Sequence, residues 1–175
     1  MFCQSASVAR RPVRTGRKTQ FPSHGAARVT PNPSMSNGKT MQASVSLTDA
    51  VAEPEVIAIY AANGWSAAEK PKQLLSGLRN SHSLATARVA GRLVGLGNAI
   101  SDGHLVVYFP HLIVHPDFQR RGIGRALVEG LLQRYSEFHQ LMLTADGAAI
   151  QFYEALGFER AGKTVPMWIY AGADH

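Results

Sequence analysis

Cysteine is almost missing from this chain: Cys3 is the only one among 175 residues. That excludes an internal disulfide framework and a cysteine metal cluster. Acidic residues are missing from the first forty positions, which hold Arg10, Arg11, Arg14, Arg17, Lys18, Arg28 and Lys39 but neither Asp nor Glu. Beyond them eleven Lys and Arg face twelve Asp and Glu, so the formal charge of +6 belongs to the N-terminal segment. The high pI therefore implies no nucleic-acid groove on the rest of the chain, which also lacks basic stretches interleaved with aromatics. No apolar run approaches the ~18–20 residues of a membrane span, so no membrane partner is expected. No His, Cys, Asp and Glu set has metal-ligand spacing, and no metal is expected.

What is present divides in two. Residues 1–40 are rich in Ser, Thr, Arg, Pro and Gly and show no sustained period, which predicts a disordered basic extension. The same composition fits a plastid or mitochondrial transit peptide, or a segment upstream of a true start at Met35 or Met41. We expect a dispensable extension of a cytoplasmic protein. Residues 41–175 carry the apolar content for one ordinary domain.

Within that domain, Ala43–Thr48 alternates weakly and predicts a first strand. Glu53–Ala62 puts Val56, Ile59 and Tyr60 on one helical face, closed by Asn63-Gly64. Ser66 and Glu69 form a capping-box pattern for a helix reaching about Leu78. Ser83–Val89 and Arg92–Ile100 read as a hairpin turning at Ala90-Gly91. Asp102-Gly103 turns into a central strand, Leu105–Val114, followed by a helix over about 122–136. A strand over Gln140–Thr144, a helix over Ala148–Ala155 and a final strand over Val165–Tyr170 complete the order. This β-α-α-β-β-β-α-β-α-β sequence predicts an α/β chain: a mixed sheet with helices on both faces.

The most informative stretch runs from Tyr108 to Leu132, YFPHLIVHPDFQRRGIGRALVEGLL. A buried strand, a glycine turn and a helix N-terminus in that order make an anion site. The unpaired first-turn N–H groups and the helix dipole favour negative charge. Gly122 and Gly124 allow a phosphate close to the backbone, and Arg120, Arg121 and Arg125 add charge-assisted contacts. The G-x-x-x-x-G-K-[ST] loop is absent, and a dinucleotide fingerprint would need glycine where Leu127 stands.

Gln119-Arg120-Arg121-Gly122-Ile123-Gly124 resembles the Q/R-x-x-G-x-G/A signature of the GCN5-related N-acetyltransferase (GNAT) superfamily. About thirty residues on, Ala149-Ile-Gln-Phe152-Tyr153-Glu-Ala-Leu-Gly157-Phe158 is similar to that superfamily's A-x-x-F-Y-x-x-x-G-F segment. With Asn63-Gly64-Trp65, the pattern looks like small bacterial and plastid arylalkylamine-type acetyltransferases. The resemblance covers roughly residues 43–170. It implies an acyl-CoA N-acyltransferase fold with splayed central strands, acetyl-CoA as co-substrate and an amine as acceptor, and it leaves room for a homodimer. It places the pyrophosphate on residues 119–125. The pantetheine arm would lie against Leu112, Ile113 and Val114, with Asp146 a further cofactor contact or the N-cap of the following helix.

The resemblance also assigns roles. Tyr153 matches the tyrosine that protonates the departing thiolate, a reasonable donor for a phenol of pKa ~10. The general base stays open. The fourth strand carries no carboxylate; Tyr108 sits near the position where many relatives have glutamate, and His111 is the nearest group of suitable pKa. A water chain, or an amine that arrives neutral, would serve instead. With no cysteine in the domain, direct transfer to the amine is expected. Trp65, Tyr60, Tyr108 and Phe109 are expected to line the mouth and favour an aromatic or apolar amine, with a protein amine as the other acceptor class. A catalytically weak acyl-CoA sensing module of the same fold is the alternative.

Overall fold

A computed structural model of the chain describes residues 42–48 and 50–169. The expected basic extension, residues 1–40, lies outside the described residues, as does Tyr170. The elements are β1 (Ser44–Ser46), α1 (Glu53–Ala62), α2 (Pro71–Arg79), β2 (Ser83–Val89), β3 (Arg92–Ser101), β4 (Val106–Phe109), β5 (Leu112–Val114), α3 (Ile123–Arg134), β6 (Gln140–Leu143) and α4 (Ala149–Glu154).

Pro54 in the first turn and two glutamates, Glu53 and Glu55, suit the start of α1. Asn63 closes that helix, its side-chain Nδ2 donating to the carbonyl of Ile59. Between β2 and β3, Ala90 and Gly91 both take positive φ, 49° and 83°. Two such residues make a turn whose twist matches the flanking strands.

The sheet runs β1-β2-β3-β4-β6, with β5 paired to β3 off that path. All pairs are antiparallel except β4 with β6, which is parallel. Alternation along the strands splits the core into two layers. On one face Val56, Ile59 and Tyr60 of α1 and Leu74 and Leu78 of α2 pack on Leu93, Leu96 and Ile113. On the other, Ile123, Leu127 and Leu131 of α3 pack on Ala85, Ala87, Val94, Val107 and Phe109. The helix α3 lies close because β3 presents glycines: a Cβ on Gly95 would meet Leu127 Cδ1 at 3.2 Å and the Ile113 carbonyl at 3.2 Å.

Three expectations are corrected. The helix expected from Ser66 splits into a short 3₁₀ turn, Ser66–Glu69, and α2. Pro71 is the cause: it pushes Lys70 out of the helical region (φ −122°, ψ 59°) and starts a new helix. The strand expected over Leu105–Val114 breaks into β4 and β5, because Pro110 has no N–H to continue the ladder. The last strand, expected over Val165–Tyr170, is not formed over its described part: Val165, Met167, Trp168 and Ile169 are exposed. Among the described residues β6 pairs only with β4. Alternation records a preference for extended backbone, but a strand also requires a ladder partner.

Candidate active site

The break at Pro110-His111 opens the sheet. Among the described residues β4 stays with β6 while β5 pairs only with β3. Asn98 fixes the break: its backbone N–H donates to the His111 carbonyl at 3.1 Å, and its Oδ1 accepts the His111 N–H at 3.2 Å. At the other end the His115 N–H donates to the Val94 carbonyl at 2.8 Å. In an antiparallel ladder this phase turns His111, Ile113 and His115 toward β3 and turns the backbone groups of Leu112 and Val114 to the open edge. The three cofactor residues expected on this strand thus divide. Leu112 turns its backbone groups to the opening and Val114 its N–H, the Val114 carbonyl being taken by the Asn63 and Gln119 side-chain amides, whereas Ile113 is buried in the α1–α2 core.

The opening is a narrow cleft of about 10 Å³ lined by Phe109, His111, Leu112, Val128, Leu131, Leu143 and Tyr153. Two candidate proton-transfer residues, from separate parts of the sequence, therefore share one cleft. Tyr153 makes edge-to-face contacts with Phe152 and Phe158, and burial raises its phenol pKa. Its hydroxyl has no hydrogen-bond partner among the described residues and is not sealed from solvent. His111 is half-buried, and burial lowers its imidazole pKa. Tyr108 does not line the cleft. It faces outward from β4, its hydroxyl 3.3 Å from Thr144 Oγ1.

At the end of β5 the chain makes a 3₁₀ turn over Pro116–Phe118, with the Asp117 N–H donating to His115 Nδ1 at 3.3 Å. Arg120 (φ 58°) and Gly122 (φ 79°) then take left-handed backbone, just before α3. Left-handed residues at a helix start gather successive N–H groups into a concave nest for an anion. The first helical bond joins the Ala126 N–H to the Gly122 carbonyl at 3.0 Å, so the N–H groups of Ile123, Gly124 and Arg125 have no carbonyl within the helix. A Cβ on Gly122 would meet nothing within 4 Å, which leaves the approach to this nest open. These groups fit a pyrophosphate, and the open edge of β5 fits the amide-bearing arm of a coenzyme A thioester.

The side chains around the nest differ in what they have free. Arg121 stacks on Phe118 at 5.2 Å, and Arg125 pairs with Glu129 at 3.5 Å one turn along. Ile123 turns its side chain into the α3 core and has only backbone to offer. Gln119 Nε2 donates to Val114 O and Asn63 Oδ1, tying the loop to β5 and α1. Asp146 is not a side-chain N-cap. Its backbone carbonyl accepts from the Ala149 N–H at 3.0 Å, and α4 begins after Ala148 with no side-chain cap. Gly147, with φ 50°, makes the turn between Asp146 and the helix.

The expected aromatic mouth is also revised. Tyr60 is fully buried, whereas Phe109 lines the cleft and packs on Tyr135 and Phe158. Beside Tyr108, the outward face instead carries Ile100 and Met142, its direct cross-strand neighbours, both exposed. Sequence reasoning missed the bond between Tyr60 hydroxyl and His111 Nδ1, at 2.7 Å. A hydroxyl on an otherwise apolar helix face was the available signal, since a buried phenol needs a polar partner.

Among the described residues no group of His, Cys, Asp and Glu is placed to hold a metal ion, and no helix is long and apolar enough to cross a membrane. Comparison with known proteins agrees with this geometry. A family model described as acetyltransferase (GNAT) domain matches residues 51–167. An uncharacterized N-acetyltransferase, ycf52, of Pyropia yezoensis is 33% identical over 102 residues, 54% of this chain and 58% of that protein. GCN5-related N-acetyltransferase 2, chloroplastic, of Arabidopsis thaliana is 38% identical over 72 residues, 39% of this chain and 27% of that protein. The chain thus spans less than two thirds of the length of these curated relatives. A solved GNAT-family acetyltransferase from Streptococcus pneumoniae TIGR4 superposes with a TM-score of 0.64 at 28% identity, over 74% of this chain and 98% of that one. With its sheet parted beside a glycine-turned helix start and a family model matched across most of the described residues, the chain belongs to the GNAT acetyltransferase family, whose co-substrate is acetyl-CoA.

Proposed function

We propose that this chain is an N-acetyltransferase that moves acetyl directly from acetyl-CoA to a primary amine carrying an aromatic or apolar group. The observation that carries the reading is the shared cleft: His111 and Tyr153 line the same opening, next to the unpaired edge of β5. Bound acetyl-CoA supplies the activated thioester and a thiolate leaving group. The chain supplies the rest. Residues 119–125 hold the pyrophosphate through backbone N–H groups, with Arg120, Arg121 and Arg125 adding charge around them. Leu112 and Val114 orient the acyl arm through the open strand edge. A backbone N–H aimed at the reacting carbonyl stabilises the charge that develops there. His111 accepts a proton from the amine, and Tyr153 delivers one to sulfur.

Burial suits both assignments. A depressed imidazole pKa keeps His111 neutral, and so able to accept a proton, at neutral pH; a raised phenol pKa keeps the Tyr153 proton in place until sulfur takes it. The acceptor class is read from the outward face, outside the cleft, where Ile100, Tyr108 and Met142 make a cross-strand apolar row without a carboxylate. Such a row favours a flat apolar group over a polyamine, which needs negative charge. By the same reading residues 41–175 form the catalytic domain and residues 1–40 a dispensable extension. The chloroplastic relative favours a plastid location over the cytoplasm.

A turnover screen with acetyl-CoA decides the function. Arylalkyl and other apolar primary amines, polyamines and lysine- or N-terminus-bearing peptides would be compared by kcat/KM. The expected order places arylalkylamines first. Cofactor binding by calorimetry with no turnover of any amine would instead establish a sensing module.

A further inference from the structure

Asn98 is a buried amide, 4% exposed, inside the otherwise apolar run of residues 93–100, LVGLGNAI. To one side of it Ile100 of β3 pairs with Tyr108 of β4; to the other Gly97 pairs with Leu112 of β5. Between these pairs Asn98 and Ala99 face Phe109, Pro110 and His111, two residues opposite three, which is a β-bulge. A side chain holds this bulge in place of backbone. The Asn98 N–H donates to the His111 carbonyl at 3.1 Å. The His111 N–H, however, goes to Asn98 Oδ1 at 3.2 Å, where a regular ladder would use the Asn98 main-chain carbonyl. The amide is anchored at its other end as well. Nδ2 donates to Ser81 Oγ at 2.8 Å, and that hydroxyl donates to the Gly77 carbonyl of α2 at 2.9 Å. Because a backbone N–H can only donate, it fixes which end of the amide is oxygen.

The bulge decides which backbone group reaches the cleft. Phe109 stays in the ladder with Leu143, Pro110 has no N–H, and the His111 N–H is taken by Asn98. Leu112 comes next: its N–H faces the open edge, and the residue lines the cleft together with Tyr153. Val114, two residues further on, does not line the cleft. We propose that Asn98 is a positioning residue for acyl transfer: by holding the His111 N–H toward β3 it keeps the bulge at Pro110 and aims the Leu112 N–H at the acyl carbonyl. This rests on the reading that acetyl-CoA lies along the open edge of β5. Without the side-chain oxygen, the His111 N–H loses its acceptor unless β5 slides to the main-chain carbonyl of residue 98. A slide of one residue exchanges the backbone groups that face β3 with those that face the opening. The Leu112 N–H would then turn away, and the charge developing on the carbonyl would lose its donor. Asn98 touches no reacting atom and acts through the backbone of residues 111 and 112.

Acetyl-CoA labelled with carbon-13 at the thioester carbonyl reads the aim directly. Its infrared carbonyl stretch is expected to move to lower frequency on binding to wild type. The Leu112 amide proton is expected to shift further with acetyl-CoA than with coenzyme A, which lacks the acyl oxygen. Asn98→Leu keeps the size of the side chain and removes its oxygen. In that variant most of the frequency change is expected to vanish. With the best amine of the turnover screen, kcat should drop about tenfold or more while the acetyl-CoA KM holds. A merely structural Asn98 would lower the melting temperature and leave the stretch and the kcat of the folded variant at wild-type values, which overturns the proposal. Wild type alone also decides, even if the variant fails to fold. A scalar coupling across the hydrogen bond, from the His111 nitrogen to the Asn98 side-chain carbonyl carbon, is expected there. Its absence overturns the proposal, as does a Leu112 amide indifferent to the acyl group. Turnover with an unmoved carbonyl stretch removes this proposal and leaves the acetyltransferase reading standing, whereas acetyl-CoA that does not bind removes both.

Discussion

Gln119 and Asn63 lock the glycine loop to the first helix: Gln119 Nε2 lies 3.2 Å from Asn63 Oδ1, and both side-chain amides donate to the carbonyl of Val114. Three pieces of chain meet there: the end of α1, the last residue of β5 and the start of the glycine turn. The Gln119 side chain therefore sets where the nest sits relative to the open strand edge. Gln119→Ala removes two hydrogen bonds at an exposed site, each worth on the order of 1 kcal/mol. Calorimetry is expected to show coenzyme A affinity reduced about five- to thirtyfold while the melting temperature moves little. Equal affinity would mean that Asn63 alone holds the loop.

Gly122 and Gly124 are both expected to matter for the anion site, for different reasons. At Gly122 the backbone is left-handed, so Gly122→Val carries a conformational penalty of roughly 1–2 kcal/mol or more whether or not ligand is present. Gly124 has ordinary backbone, and a Cβ there would touch Phe152 Cζ at 3.6 Å and Val114 Cγ2 at 3.8 Å, both normal contacts. Gly124→Ala should fold and melt like wild type. A drop in coenzyme A affinity of tenfold or more in that variant isolates steric block of the phosphate approach. Unchanged affinity in Gly124→Ala, measured beside a folded Gly122→Val that also binds normally, would remove the pyrophosphate from this loop.

The sequence showed most where the signal was local. The helical stripe of Val56, Ile59 and Tyr60, the Ala90-Gly91 turn and the amphipathic run after Gly122 each specify an element within a dozen residues, and each forms as expected. The glycine turn and the FY segment were readable for the same reason. What was missed depends on distant partners or on a proline overruling its neighbours. Pro71 divides one helix and Pro110 one strand, and the second division creates the cleft. No pattern in residues 105–114 states that β4 stays with β6 while β5 does not. Nor does the spacing of 51 residues between Tyr60 and His111 hint at their bond. Asp146 misled because a carboxylate before a helix often caps it, and here a left-handed Gly147 intervenes and α4 starts without a side-chain cap.

The basic extension is separable by composition, which predicts a thermodynamic result. A chain shortened to begin at Met41 is expected to melt within a degree or two of the full chain and to bind coenzyme A equally well, since the removed residues lack a burial pattern. The measurement is a paired calorimetric melt and titration. A loss of several degrees would show that the segment packs on the domain.

Tyr153→Phe is the sharpest test of the chemistry, because it changes one atom. The edge-to-face contacts with Phe152 and Phe158 belong to the ring and survive the substitution, so cofactor affinity should stay within a few-fold. If the hydroxyl protonates the leaving sulfur, kcat falls by roughly a hundredfold, the low end of general-acid contributions. The other side of the proton traffic is read from pH. His111 must be neutral to accept a proton, and burial depresses its pKa, so kcat/KM should fall as pH drops through a value below about 6.5, the ordinary histidine value. His111→Gln should abolish that limb and lower the plateau. Tyr108→Phe should leave the limb in place, since its hydroxyl faces Thr144 on the outer side of β4. A limb lost in Tyr108→Phe but kept in His111→Gln would exchange their roles. A limb kept in both would belong to the amine itself, and the acceptor would then have to arrive neutral. Full activity in Tyr153→Phe would mean that sulfur takes its proton from water, and the cleft would then act by orientation alone.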